Sequence, residues 1–208
     1  MSHEEGAGGT LDQNIGLNGY LTRLSSNEPV PGGGAAAGVT GAQAAALIGM
    51  VCALSESSKE IDAIAAVASE ARERFIALAD ADMTNFLALM RLYQTPRGST
   101  PADQRRHQIE VALNNAASPP LEMMALSQEL VGPLQSLYAR GNSNLVTDTG
   151  IAAYMLITTI NASLLNVRIN LKSMKDATNR QKILTELDRA APTLAELQSL
   201  AQAIGDNL

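Results

Sequence analysis

Twenty consecutive residues, Ala35–Leu54, carry no charge, and most of them are alanine or glycine. On a helix, Gly34, Gly38, Gly41, Ala45 and Gly49 recur at spacings of four, three, four and four, so they share one face. Val39, Gln43, Leu47, Met50 and Leu54 occupy the opposite face. This pattern predicts a helix with something packed on both sides. The glycine face lets a flat ligand or a second backbone approach closely, or serves only a tight helix crossing. The stretch opens on Pro29-Val30-Pro31 and then Gly32, Gly33 and Gly34, where first-turn N–H groups and the positive end of the helix dipole are free. Such a mouth suits an anion or a carbonyl oxygen. Neither a Walker pattern nor a strand-coupled GxGxxG accompanies it, which leaves a nucleotide site without support.

Length and residue usage point the same way. The chain has 208 residues, enough for one domain with a substantial core. Aromatics are 3% and tryptophan is absent, while good helix formers dominate, so the expected class is all-α. A net charge of −6 argues against a nucleic-acid partner. Cys52 is the single cysteine, which excludes a disulfide framework and fits a reducing, cytoplasmic setting. Residues 1–10 are polar and glycine-rich, without the apolar core of a secretory signal, and read as a disordered arm ahead of a helical domain over 11–208. Ala35–Leu54 has the length of a membrane span. Its side chains are small, Gln43 sits midway, and flanking Lys/Arg and aromatic anchors are missing, so it reads as a buried helix and no membrane partner is expected.

Seven helical stretches are predicted. They cover about Leu11–Ser26, the glycine helix to about Ser55, Ile61–Tyr93, Pro101 to about Ala117, Ser118 to about Arg140, Thr147–Met174, and Asn179 to the C-terminus. Thr100-Pro101 reads as an N-cap and first helical residue, and Ser118-Pro119-Pro120 as a second helix start. In the last stretch Ile183, Leu187, Ala190, Leu194, Leu197, Ala201 and Ile204 form a heptad seam, with a kink expected at Pro192.

Several polar residues fall where apolar ones belong. Asp82 shares the face of Phe75, Leu78, Ala79, Phe86, Leu89 and Tyr93. A carboxylate there costs several kcal/mol unless paired or protonated. It is either a site residue with a raised pKa or half of an ion pair, with Arg105 as the available partner. In GNSNLVTDTG, Gly141–Gly150, Thr147 or Asp148 can cap the following helix or serve a site. Thr159, Ser163, Asn166 and Asn170 make a polar stripe whose members need partners, on facing helices or on a ligand. Arg168, Lys172 and Lys175 form a basic edge that complements the helix dipole or meets an anionic group. No metal site is expected, because His3 and His107 are far apart in sequence and Cys52 is alone.

In order, the chain carries PGGGAAA with Gly41-Ala42, MVCAL at Met50–Leu54, D-x-x-x-F at Asp82–Phe86, and R-x-x-x-I-x-x-A-L at Arg105–Leu113. Pro120-Leu121, GNSNLVTDTGIA at Gly141–Ala152 and NVRINL at Asn166–Leu171 follow. Together these resemble the cyclodeaminase/cyclohydrolase family of folate enzymes over about residues 11–176. The resemblance implies an all-α homodimer acting on a tetrahydrofolate derivative as substrate, with no separate cofactor. It implies Asp82 as general acid/base and Asp148 as a second catalytic residue that helps orient the pterin and amide groups. Gly32, Gly33, Gly34, Arg105, Asn142, Asn144, Asn166 and Asn170 would bind the pterin, its amide groups and the glutamate tail. The expected reaction is hydrolysis of 5,10-methenyltetrahydrofolate to 10-formyltetrahydrofolate, favoured because no formiminotransferase half accompanies the domain. The alternatives are an ammonia-releasing formiminotetrahydrofolate cyclodeaminase and a non-catalytic folate-binding dimer. The last draws on one departure: the family's lysine-rich segment after the glycine helix reads SESSKEI here, Ser55–Ile61.

Overall fold

The computed structural model describes residues 16–96, 98–99 and 101–208. The expected N-terminal arm, the start of the first helix and the cap at Thr100 lie outside them. Among the described residues all regular structure is helical, as the composition requires. The helices are α1 (Gly16–Leu24), α2 (Gly33–Ala53), α3 (Lys59–Gln94), α4 (Ala102–Glu129), α5 (Val131–Arg140), α6 (Val146–Ser173), α7 (Ala177–Asp188) and α8 (Ala190–Asp206), with a 3-10 turn at Ser143–Leu145.

Helices α2 and α6 run antiparallel through the centre. Thr159 Oγ1 donates to the Ala37 carbonyl at 3.3 Å, and at the other end Asn142 Nδ2 donates to the Leu54 carbonyl at 2.7 Å. Helix α3 covers the glycine face of α2, α4 bridges α3 and α6, and α8 lies on α6. The glycine face is used up by this crossing. A β-carbon on Gly38 would lie 2.8 Å from Ala79 Cβ and 2.9 Å from the Phe75 carbonyl oxygen, and one on Gly41 would lie 2.6 Å from the Phe75 ring. The close approach is therefore made by a helix, and Phe75 is fully buried by it. The opposite face of α2 is less covered than its pattern predicts. Ala37, Ala44, Ile48 and Val51 form the buried stripe next to α6, while Gln43, Met50 and Leu54 stay exposed.

Two helix boundaries differ from expectation. Ser118-Pro119-Pro120 starts no new helix; α4 runs through both prolines and breaks at Leu130. Prolines in a helix interior free the carbonyls four residues earlier, here those of Asn115 and Ala116. Neighbouring helices supply the missing donors. Asn85 Nδ2 of α3 donates to the Asn115 carbonyl at 2.8 Å, and Asn170 Nδ2 of α6 donates to that of Ala116 at 3.2 Å. The final stretch breaks at Arg189, and Pro192 sits in the first turn of α8, where a missing N–H costs nothing. The seam holds: Ile183, Leu187, Ala190, Leu197, Ala201 and Ile204 are buried.

By length and composition α2 and the Ser143–Ser173 segment could each cross a membrane, yet about half of the apolar 18-residue stretch in each, 56% and 50%, is buried inside the bundle.

The contacts of the glycine face set a sharp contrast. Gly38→Ala should destabilise the chain by about 1–2 kcal/mol, because overpacking against backbone outweighs the gain in helix propensity. Gly49→Ala, whose β-carbon meets nothing within 4 Å, should be neutral or stabilising by up to about 1 kcal/mol. Urea melts of the two variants test this.

Candidate functional site

Asp82 is carried by α3 to the N-terminal end of α2. Its carboxyl group occupies the space that a side chain on Gly34 would fill, so the contact requires glycine there. Gly33 and Gly34 belong to the first turn of α2, and Gly32 holds the N-cap position without offering a side chain. Their amide groups precede the intrahelical ladder. Ala79 and Phe75, one and two turns earlier on α3, lock the same crossing and fix the height of Asp82 above Gly34.

A cavity of about 350 Å³ opens beside this contact, within the range of small-ligand sites. Pro29, Val30 and the three glycines form one wall, and Asp82, Phe86, Leu89, Met90 and Tyr93 of α3 form the next. Leu113 and Ala116 of α4 and Asn166, Ile169, Asn170 and Ser173 of α6 complete it. Most of the lining is apolar. Among the described residues the Asp82 carboxyl has no hydrogen-bond or ion-pair partner, and burial pushes its pKa from 3.8 up to about 6. A carboxyl poised near neutral pH in a concave, mostly apolar setting can take and return protons.

Of the residues singled out from sequence, the cavity brings together Gly32, Gly33, Gly34, Asp82, Asn166 and Asn170. It does not include Arg105, Asn142, Asn144 or Asp148. Arg105 forms no pair with Asp82; its guanidinium donates to the Thr95 carbonyl at 2.7 Å and that of Tyr93 at 3.4 Å, closing the C-terminus of α3. Asn170 spends its amide donor on the carbonyls of Ala116 and Asn166, which leaves its oxygen for the cavity. Asn142 caps the 3-10 turn by accepting from the Asn144 amide at 3.0 Å, and its own amide N–H donates to Ser55 Oγ at 2.9 Å. Neither Thr147 nor Asp148 caps α6; Asp148 lies in its first turn. The SESSKEI segment is also at this far end, where Ser58 caps α3 by accepting from the Ile61 amide at 3.2 Å.

From sequence, Phe86 and Tyr93 stand only as members of the apolar face, with Phe86 also in the D-x-x-x-F motif, and Met90 is not singled out. Phe86 and Tyr93 remain 39% and 43% exposed because their faces border the cavity. A signal existed: they follow Asp82 at four and eleven residues, on its own helix face. Among the described residues no group of three His, Cys, Asp or Glu side chains converges as a metal cluster.

The family profile described as formiminotransferase-cyclodeaminase matches residues 16–189. A methenyltetrahydrofolate cyclohydrolase from Methylorubrum extorquens is 30% identical over 194 residues, spanning 89% of this chain and 91% of that protein. The formimidoyltransferase-cyclodeaminase of Mus musculus is 28% identical over 87% of this chain, which spans only 36% of that longer protein. Among solved structures, a formiminotetrahydrofolate cyclodeaminase from Thermotoga maritima superposes with a TM-score of 0.79 at 30% identity, covering 93% of this chain and 95% of the other.

The half-buried carboxyl gives a stability signature of definite sign. With a folded pKa near 6 against an ordinary 3.8, the folded chain holds the Asp82 proton more tightly than the unfolded chain does. Its contribution to stability is full below about pH 4 and is lost as pH rises through about 6, a cost of about 3 kcal/mol at neutral pH. Asp82→Asn should therefore melt higher than the parent at pH 7.5, and the difference should vanish by pH 4. Calorimetry across that range checks both halves.

Proposed function

The chain belongs to the formiminotransferase-cyclodeaminase family, and from that membership we propose that it is a folate-dependent one-carbon enzyme, a 5,10-methenyltetrahydrofolate cyclohydrolase working as a homodimer in the cytoplasm. The observation that carries this reading is the unpaired Asp82 carboxyl, pKa about 6, in a cavity walled by Phe86 and Tyr93. The similarity to the Methylorubrum cyclohydrolase over nearly the whole of both proteins supports it. The Thermotoga relative supports cyclodeaminase chemistry at the same cavity as a second reading.

The chemistry asks for what the cavity contains. In the substrate a methenyl carbon bridges N5 and N10 and shares a positive charge. Ionised Asp82 attracts that cation and takes a proton from the attacking water. Water oxygen bonds to the carbon and gives a tetrahedral adduct. As the adduct's hydroxyl becomes the formyl carbonyl and loses its proton to solvent, the carbon–N5 bond breaks and Asp82 returns its proton to N5. The formyl group stays on N10. Overall one water is consumed and one proton released. A group with a pKa near the working pH can serve both transfers. The aromatic faces of Phe86 and Tyr93 suit a flat ring system, and the Asn166 and Asn170 oxygens accept hydrogen bonds from ring N–H and amino groups. In cyclodeaminase chemistry the same carboxyl would assist N10 attack on a formimino carbon and the departure of ammonia.

The experiment follows loss of methenyl absorbance spectrophotometrically, with ammonia release from the formimino substrate as the companion assay. Wild type should accelerate methenyl hydrolysis with a pH limb near 6. Asp82→Asn should lose at least about 100-fold in kcat with its fold intact. Gly34→Ala, whose methyl displaces the Asp82 carboxyl, should lose activity comparably. Ammonia release without methenyl hydrolysis would replace the first reading by the second. Folate binding without either reaction would leave a non-catalytic binding dimer.

A further inference from the structure

The two prolines inside α4 each free a carbonyl, and the side chains that answer them differ in where they stand. Asn85, which donates to the Asn115 carbonyl at 2.8 Å, does not line the cavity. Asn170, which donates to the Ala116 carbonyl at 3.2 Å, does. Pro120 is the residue that frees the Ala116 carbonyl, because any other residue at 120 would donate its own N–H four positions back. Pro120 itself is buried and has no place in the cavity wall.

What Pro120 decides is which end of the Asn170 amide meets a ligand. A primary amide has an accepting end and a donating end of nearly the same shape. The two protein groups that hold it are both carbonyls, those of Ala116 at 3.2 Å and Asn166 at 3.1 Å. Carbonyls only accept, so the NH₂ turns to them and the oxygen turns away. The Asn166 carbonyl is a weak hold by itself, since it lies one turn back on the same helix and takes the Asn170 backbone N–H. The Ala116 carbonyl is the strong one. Ala116 is buried, and an acceptor left there without a donor is costly, so the orientation that serves it wins.

We infer that Pro120 is a positioning residue that sets the hydrogen-bond polarity of the cavity. By withholding one N–H from α4 it fixes the Asn170 amide with its oxygen toward the ligand. This wall then selects a ligand edge that carries N–H donors and disfavours one made of carbonyl or carboxylate oxygens. The donor is the 2-amino group of a pterin, which rests on the folate-enzyme reading; the orientation of the amide does not. With an N–H at position 120 the Ala116 carbonyl regains its helical donor, the amide is free to turn, and the wall stops discriminating. Pro119 is an internal control, since the same change there releases Asn85 and touches no cavity residue.

A stability cycle tests the orientation without any ligand. Asn170→Leu orphans the Ala116 carbonyl in the parent chain and should lower its urea midpoint. In a Pro120→Ala background the same change should cost at most about a third as much, because the new N–H has taken over the carbonyl. In a Pro119→Ala background it should cost as much as in the parent. Equal costs in all three backgrounds overturn the proposal. Should Pro120→Ala fail to fold, hydrogen exchange in the parent decides. The Asn170 side-chain amide should exchange at least about tenfold more slowly than that of Asn161, which donates to the Ile157 carbonyl on an exposed face of the same helix. Comparable rates overturn the lock. Calorimetric titration then tests selection, with folic acid and an analogue lacking the 2-amino group as probes. The parent and Pro119→Ala should prefer folic acid by about tenfold, the cost of one acceptor left without its donor. In Pro120→Ala the preference should fall to about twofold. The same variant should raise KM for the methenyl substrate several-fold while kcat stays within about twofold, because Asp82 on α3 is untouched. A parent without preference, a preference that survives Pro120→Ala, or a loss in kcat in place of the rise in KM overturns the positioning role. A parent that passes the stability cycle but binds neither probe rejects the folate reading and keeps the orientation.

Discussion

The crossing of α2 and α3 governs the rest of the molecule. Gly34, Gly38 and Gly41 let the two backbones approach until Asp82, Ala79 and Phe75 fill the space where side chains would stand. The same crossing does two jobs. It seals the core, since Phe75 and Ala79 are fully buried, and it partly removes the Asp82 carboxyl from water without giving it a partner. A looser crossing would rehydrate the carboxyl and return its pKa towards the ordinary value. Stability and a carboxyl poised near neutral pH are opposed here, because the contact that packs the helices is the one that makes ionisation costly.

A second constraint ties the cavity to its far wall. Pro119 and Pro120 leave two carbonyls of α4 without helical donors, and the asparagines at 85 and 170 supply replacements from α3 and α6. Three helices that line the cavity are thereby pinned to one another by polar groups. The geometry around Asp82 does not depend on apolar packing alone. Asn170 serves twice, since its N–H₂ supports the proline-bearing helix and its oxygen is left for the cavity.

Much of this was readable in the chain. Helix class, the glycine stripe, the heptad seam and the misplaced carboxylate all follow from periodicity, which reports what each residue's own helix presents. Family resemblance added the pterin-binding expectation, and similarity along most of the chain agrees with the family. Periodicity misled where a neighbouring helix intervened. The paired prolines look like a boundary until Asn85 and Asn170 are seen to satisfy the freed carbonyls. Arg105 looks like a partner for Asp82 until the C-terminal carbonyls of α3 claim it. Phe86 and Tyr93 look like core until the cavity beside them is seen.

Local sequence thus determined which residues share a helix face, because a 3.6-residue repeat is a property of the chain alone. It also determined that Asp82 would be out of place, because a carboxylate on an apolar stripe is unfavourable in any helical fold. Tertiary structure alone decided what fills the space above each glycine, which polar side chain answers which orphaned carbonyl, and which candidates share one cavity. Those outcomes are set by distances between segments far apart in sequence. Asp148 and Asn170 stand on one helix yet about 33 Å apart, and only the packed bundle shows that one belongs to the cavity and the other to its opposite end.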